Sequence, residues 1–517
     1  MRYQRLLLLL LMILFSFSTI TESSFGLRIE SCFHEELGEE VLCRTYEVME
    51  NRQVRKGAKI RLNFIILPAW TETPALDPIS IFTGGPGVGS AAWAYYHAQD
   101  YEKLRWEREI VLVDQRGTGQ SNPLHCRRLG DPDSAQTYLQ DMFPEDYVKE
   151  CRKELEKRAN LRYYHSTIAM QDIDDLRAAL GYEQINIAGT SYGSYAGSVY
   201  MKYFPERVRC AFLTHIAMPN WTYAATIAPN TEAALERLFA DCAADPDCAA
   251  DYPDVRQKLA QVIYRLKQGP VSVPIINPIT GGPETVTFTH NNFIHGLRSM
   301  LYGTSASRWI PAFIHWAAEG YFPPIVEYTA DYLYWINIDI MDGMFLCVTC
   351  AESILYINYA EARAQAEGTL MGTYRLDQQV DACKLWVRGD HPDDFRTFNA
   401  MGISTLIVSG EIDPTTPPEL GEELASYLPY SLHVIIPNEG HSFGQVWENC
   451  LDDVVAQFIS QGFVEGLDPS CVNENQRPPF VSWRDYVGDN AKKITSDSSN
   501  LARSPRDRYR KLKSKHR

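Results

Sequence analysis

Long hydrophobic runs, basic residues and paired metal ligands are all scarce in this chain of 517 residues. Its one extended apolar run, Leu6–Phe15, is ten residues long, whereas a helix needs about 20 to cross a bilayer. Lys and Arg number 49 against 65 Asp and Glu, a net charge of −16, which argues against nucleic acid as a main partner. Charged residues make up only 22% and apolar residues 45%, which excludes wholesale disorder. Cys347-x-x-Cys350 has no second pair of ligands nearby, so no metal and no cofactor is expected. No cysteine directly follows Leu6–Phe15, which disfavours a lipoprotein anchor.

What is present begins with the leader. Arg2 and Arg5 precede the apolar run, and a Ser/Thr-rich stretch from Ser16 to Ser24 follows it. These are the charged and apolar segments of a secretory signal peptide, placed at 1–24, although no clean small-x-small cleavage site marks its end. The mature protein is therefore expected to be secreted or periplasmic, with no stable membrane insertion after cleavage. Twelve cysteines agree with an oxidising compartment. Proximity along the chain pairs Cys32 with Cys43, Cys126 with Cys151, Cys242 with Cys248, and Cys450 with Cys471. Cys210, in the strand-like Arg209–Leu213, is expected to be a buried free thiol.

The chemistry centres on Gly189-Thr190-Ser191-Tyr192-Gly193, directly after the β-type run Gln184–Ala188. A strand that turns sharply into a helix through Gly-x-Ser-x-Gly exposes a serine at its apex. Three further motifs follow the same logic. Thr83-Gly84-Gly85-Pro86-Gly87 comes after the strand-like Ile79–Phe82, where a glycine-rich loop can aim backbone N–H groups at an oxyanion. Asp413 follows the strand-like Thr405–Val408, and His441 follows His433–Ile436. Serine, acid, histidine is the chain order of the α/β-hydrolase triad. Glu411 rivals Asp413 by proximity, but Asp413 lies further out on the loop and its shorter side chain suits a fixed bond to imidazole.

Gly84–Gly87, Asp114-Gln115-Arg116-Gly117-Thr118-Gly119-Gln120-Ser121 and Gly189–Gly193 together resemble the prolyl iminopeptidase and tripeptidyl aminopeptidase family. These are serine exopeptidases on the α/β-hydrolase fold. The resemblance covers roughly residues 55–220 and 400–485. It implies a disulfide between Cys350 and Cys383, with Cys347 as the competing partner. It also implies an acid near that cysteine to pair with a substrate ammonium: Glu352 first, then Asp339 and Asp342. Two departures stand out. Thr83 replaces the usual histidine of iminopeptidases, which points to the tripeptidyl-type branch. Thr214-His215 stands where many relatives have Asp-Gly, and no role for it follows from the sequence.

The remaining pattern is that of an α/β protein with a doubly wound, mostly parallel sheet. Val41–Val48 and Ile60–Leu67 alternate like an antiparallel lead-in hairpin. Short apolar strands are expected at 79–82, 110–113, 185–188, 208–213, 404–408 and 432–436, as buried parallel strands require. A helix is expected over Thr167–Leu180, ended by Gly181. The expected division is a hydrolase core at 25–218, an inserted mainly helical cap at 219–399, a second core part at 400–486 and a basic, disordered tail at 487–517. Within the cap, helices are expected over Glu232–Cys242 and Val255–Lys267, and a Pro/Gly-rich loop over Pro270–Pro283.

Ser191, Asp413 and His441 thus read as a triad, with the Tyr192 and Gly85 backbone N–H groups as the oxyanion hole. Asp114 and Arg116 read as loop braces. The leading expectation is a secreted exopeptidase that removes short N-terminal pieces from peptides. The alternatives are an ester hydrolase with the same triad, or a non-catalytic binding protein on this fold, a class that usually loses a triad member. Epoxide and haloalkane hydrolases need Asp at the elbow, where Ser191 stands. Peptides are the expected partners, and no oligomeric state is indicated.

Overall fold

A computed structural model describes residues 29–54, 56–399 and 401–483. The leader expected at 1–24 and the tail expected at 487–517 lie outside these residues. The strands are β1 (Glu30–His34), β2 (Glu39–Met49), β3 (Lys59–Leu67), β4 (Ile79–Phe82), β5 (Ile110–Val113), β6 (Ile185–Thr190), β7 (Val208–Thr214), β8 (Val271–Ile276), β9 (Pro283–Phe288), β10 (Ser404–Gly410) and β11 (Ser431–Ile436). Nine of them form one sheet in the order β1-β2-β3-β5-β4-β6-β7-β10-β11. The first three are joined antiparallel, and β3 meets β5 antiparallel. From β5 to β11 every neighbour is parallel.

The local sequence explains this layering. β4 and β5 are apolar but for Ser80 and every residue is buried, because helices cover both faces of a parallel sheet. β3 alternates exposed and buried residues at its start, as a strand with one wet face must. The lead-in hairpin falls where expected, and β1 is an addition to it. Glu30–His34 carries few apolar side chains and is largely exposed, so its burial pattern leaves little trace in the sequence. It lies against β2 with Cys32 opposite Val41, and Cys32 is bonded to Cys43.

Between β7 and β10 the chain leaves the sheet. Helices Tyr223–Ala244, Val255–Gln268, His290–Met300, Ile310–Ala318 and Pro323–Asp339 bury Leu235, Phe239, Val262, Phe293, Phe313 and Ile325 in a core of their own. The stretch expected as a loop over Pro270–Pro283 is corrected: most of it belongs to the hairpin β8–β9. Val273 and Ile275 bury one face of β8, a period-two signal that the neighbouring prolines and glycines masked. The insertion is also not one unit. Met344, Leu346, Cys350, Cys383, Trp386 and Phe395 join the hydrolase core beside Tyr195 and Tyr200. The helix Asp342–Glu352 is thus where the insertion returns to the sheet.

The five expected cysteine pairs are bonded. Cys210 and Cys347 are free and buried. Cys347 Sγ accepts from Trp386 Nε1 at 3.3 Å, so it does not compete for Cys383.

Candidate active site

β6 runs straight into the helix Tyr192–Tyr203 through Ser191, whose φ of +56° and ψ of −123° place it at a sharp apex. Both glycines of the elbow are sterically required. A Cβ on Gly193 would lie 1.8 Å from the Phe82 carbonyl oxygen, and one on Gly189 would lie 2.5 Å from the Gly193 carbonyl oxygen. The serine is therefore pushed outward because the backbone of helix, β6 and β4 pass too close for any side chain.

The loops after β10 and β11 bring two more groups to this apex. His441 Nε2 is 3.0 Å from Ser191 Oγ, and His441 Nδ1 is 2.7 Å from Asp413 Oδ2. Asp413 Oδ1 accepts from the Thr415 and Thr416 N–H groups at 2.7 and 2.9 Å. Its Oδ2 also accepts from Thr416 Oγ1 at 2.7 Å. Burial on its own would raise the Asp413 carboxyl, but the two imidazoles, His441 and His215, outweigh it and hold the group well below the usual carboxylate range. Glu411 is occupied elsewhere, by Arg237 at 2.9 Å and the Asn438 N–H at 2.9 Å.

His215 is the residue whose role the sequence did not reveal. It is buried, and its Nδ1 lies 3.1 Å from Asp413 Oδ2. Its ring packs 4.9 Å from the His441 ring and 4.3 Å from that of Phe443. Burial, the largest influence, lowers its pKa, so it meets the carboxylate as a neutral N–H donor. The signal was the unusual Thr214-His215 after β7. Its meaning appears only once β7 and β10 lie side by side.

Gly84 lies against the serine: a Cβ there would be 3.4 Å from Ser191 Cβ. Gly85 follows with φ +118°, and it forms part of the wall of a cavity of about 910 Å³ that includes its open mouth. The loop that carries Asp114 is braced as expected. Asp114 accepts from the Ala91 and Gln120 N–H groups and from Asn63, each at 2.9 Å. Arg116, fully buried, clamps Asp172 at 2.6 and 2.9 Å.

The three acids expected to meet an ammonium fall in different places. Glu352 departs from the expectation. It is 1% exposed and accepts from the Ser166 N–H, Ser166 Oγ and Tyr195 hydroxyl, each at 2.7 Å. Ser166 Oγ in turn reaches the Tyr192 hydroxyl at 2.8 Å, so Glu352 braces the elbow helix from behind. Asp339 ends the helix Pro323–Asp339. Asp342 lies in the cavity wall, where Tyr147 donates to it and Arg128 approaches at 3.7 Å.

Two family models match the chain, "alpha/beta hydrolase fold" over residues 77–251 and "TAP-like protein" over 368–471. Tripeptidyl aminopeptidase of Streptomyces lividans is 24% identical over 75% of this chain and 75% of its own length. Serine protease Hip1 of Mycobacterium tuberculosis is 23% identical over 77% of this chain and 81% of its own. Among solved structures, MGS-M2, an alpha/beta hydrolase enzyme from a deep-sea metagenome library, covers 78% of this chain and 96% of its own at 14% identity and a TM-score of 0.37. The strand order carries the fold, not this overlap.

Proposed function

Because this chain belongs to the tripeptidyl-aminopeptidase family of α/β-hydrolase serine peptidases, we propose that it is a serine exopeptidase that removes short N-terminal pieces from peptides. The observation that carries the reading is the unbroken line from Ser191 Oγ through His441 to Asp413. In this mechanism His441 takes the serine proton as Oγ attacks the scissile carbonyl. Asp413 holds the imidazole in one tautomer and stabilises the imidazolium. The oxyanion is received by the Tyr192 and Gly85 N–H groups. His441 then gives its proton to the leaving amine as the C–N bond breaks, and water releases the acyl group from Ser191. The substrate ammonium is assigned to Asp342, the one of the three candidate acids in the cavity wall. Five disulfides support work in an oxidising, extracytoplasmic compartment.

The test compares free-amine peptide amides with their N-blocked forms and with short acyl esters. Free-amine peptides should be cleaved far faster than blocked ones. Ser191→Ala should lower kcat on the order of 10⁶-fold, and a serine-directed phosphonylating reagent should label Ser191 alone. Equal cleavage of blocked and free peptides sinks the exopeptidase reading. Turnover of esters alone makes the protein an ester hydrolase with the same triad.

A further inference from the structure

The cavity beside the triad is lopsided in charge. Its wall includes the guanidiniums of Arg128, Arg298 and Arg375 and the carboxylate of Asp342. Arg128 and Asp342 face each other. That leaves two cations. Arg298 is 4% exposed and Arg375 is 6% exposed, and among the described residues neither has a carboxylate within ion-pair distance. Arg298 donates through one nitrogen, Nη2, to three hydroxyl oxygens: Tyr302 at 2.9 Å, Thr415 Oγ1 at 2.8 Å and Tyr223 at 3.3 Å. Its Nε has no acceptor, and neither do Nε and Nη1 of Arg375.

Buried charges are ordinarily paired, and buried donors are ordinarily satisfied. Two guanidiniums in the wall of one open cavity depart from both rules, each keeping part of its donor set without an acceptor, although Arg375 also bonds to Tyr223. The surrounding groups register the same field. Burial would raise the Tyr223 hydroxyl, but Arg298 and Arg375 reverse the effect and lower it. His295, also in the wall, is held well below its usual range by burial and then by Arg298, Arg375 and Arg128. Asp413 also lies in reach of Tyr223, but it is committed to His441 and His215.

The position relative to the chemistry is set by two contacts. The Tyr302 ring packs edge-on to His441 at 4.9 Å, and Thr415 belongs to the turn that holds Asp413. Arg298 touches both residues and so stands one side chain away from the triad, and Arg375 joins it across the Tyr223 side chain.

We propose that Arg298 and Arg375 form a cradle for a substrate carboxylate, and that this protein selects peptides with an acidic group next to the scissile bond. A planar carboxylate matches the fork of a guanidinium and can bridge two of them. The proposal rests on the peptidase reading above. Two sources offer this chemistry: an Asp or Glu side chain in the acyl part, or the α-carboxylate at the end of a short peptide.

The experiment measures kcat/KM on matched peptides, with Glu against Gln at each acyl-side position and C-terminal acid against C-terminal amide. It is run on the parent, Arg375→Met and Arg375→Lys. The parent should favour the charged member of one pair by at least about tenfold, as expected of a hydrogen bond to a charged group. Arg375→Met should erase that preference, with the loss falling on the kcat/KM of the charged peptide. Arg375→Lys should retain part of it. Which pair responds identifies the source. Glutarate binding, measured by calorimetry against glutaramide, reads the cradle without turnover. Glutarate should bind the parent and glutaramide should not. If no peptide is cleaved but glutarate binds in an Arg375-dependent way, the cradle stands and the peptidase reading falls. Parity within both peptide pairs together with no glutarate binding overturns the cradle.

Discussion

His215 has a φ of +51°, a backbone region that glycine takes freely and asparagine tolerates. A branch-free histidine there is an uncommon choice, and its Nδ1 ends on Asp413 Oδ2. A second N–H donor draws charge from the carboxylate, so Asp413 stabilises the His441 imidazolium less than it would alone. The groups around this pair are Asp413, His441, Phe443 and, beyond His441, Tyr302. His215→Gly keeps the backbone relaxed and removes the donor. The acidic limb of the kcat/KM profile should then move to higher pH. His215→Asn restores a donor and should return the limb toward the parent position. A limb that stays put in His215→Gly would reduce His215 to packing.

At the scale of elements, the site depends on backbone passing close to backbone. Gly193 faces the Phe82 carbonyl, a main-chain obstacle that cannot rotate away, whereas a Cβ on Gly197 would meet Leu213 Cδ2 at 3.1 Å and Ile187 Cγ2 at 3.3 Å, both side-chain atoms. Gly193→Ala must therefore drive the helix Tyr192–Tyr203 away from β4, whose end carries Gly84 and Gly85. It should cost roughly 1–3 kcal/mol or more and abolish turnover. Gly197→Ala gains up to about 1 kcal/mol of helix propensity against a small adjustment, and should unfold within a few degrees of the parent. Thermal unfolding and active-site labelling of the two variants check this, and equal behaviour would show that the elbow is not backbone-limited.

Across the whole molecule, two hydrophobic cores meet where the insertion returns to the sheet. The disulfide Cys350–Cys383 spans 33 residues there. It ties the helix Asp342–Glu352, whose ends bear Asp342 and Glu352, to the helix Tyr374–Leu385, whose first turn bears Arg375. Replacing both cysteines with serine should lower stability by about 3–4 kcal/mol and weaken discrimination between substrates more than it weakens labelling of Ser191. The reason is that the Ser191 turn is fixed mainly by the close backbone passage of β4, β6 and the helix Tyr192–Tyr203 and is reached from the stapled helix only through Glu352, whereas Asp342 and Arg375 sit on the two helices that the staple joins. Denaturation with and without the pair, alongside labelling rates, measures both effects. Unchanged stability would show that packing alone fixes the junction.

Much of this protein could be read along the chain because the causes are local. The elbow, the Gly181 helix stop (φ +85°) and the buried strands follow from sterics and period within a few residues. The five disulfides followed from proximity, or in the case of Cys350 and Cys383 from family resemblance. The order of Ser191, Asp413 and His441 follows from which strand each one ends. The tertiary structure decided what depends on which distant segments touch. It placed His215 on Asp413 because β7 and β10 are neighbours whose paired residues lie 194 positions apart in sequence (Cys210 pairs with Ser404, Thr214 with Val408). It buried Glu352 behind Tyr195, where the sequence reading expected an acid open to substrate. It also brought Arg298 and Arg375 together from separate helices around one cavity, a juxtaposition that helix packing creates and no run of residues encodes.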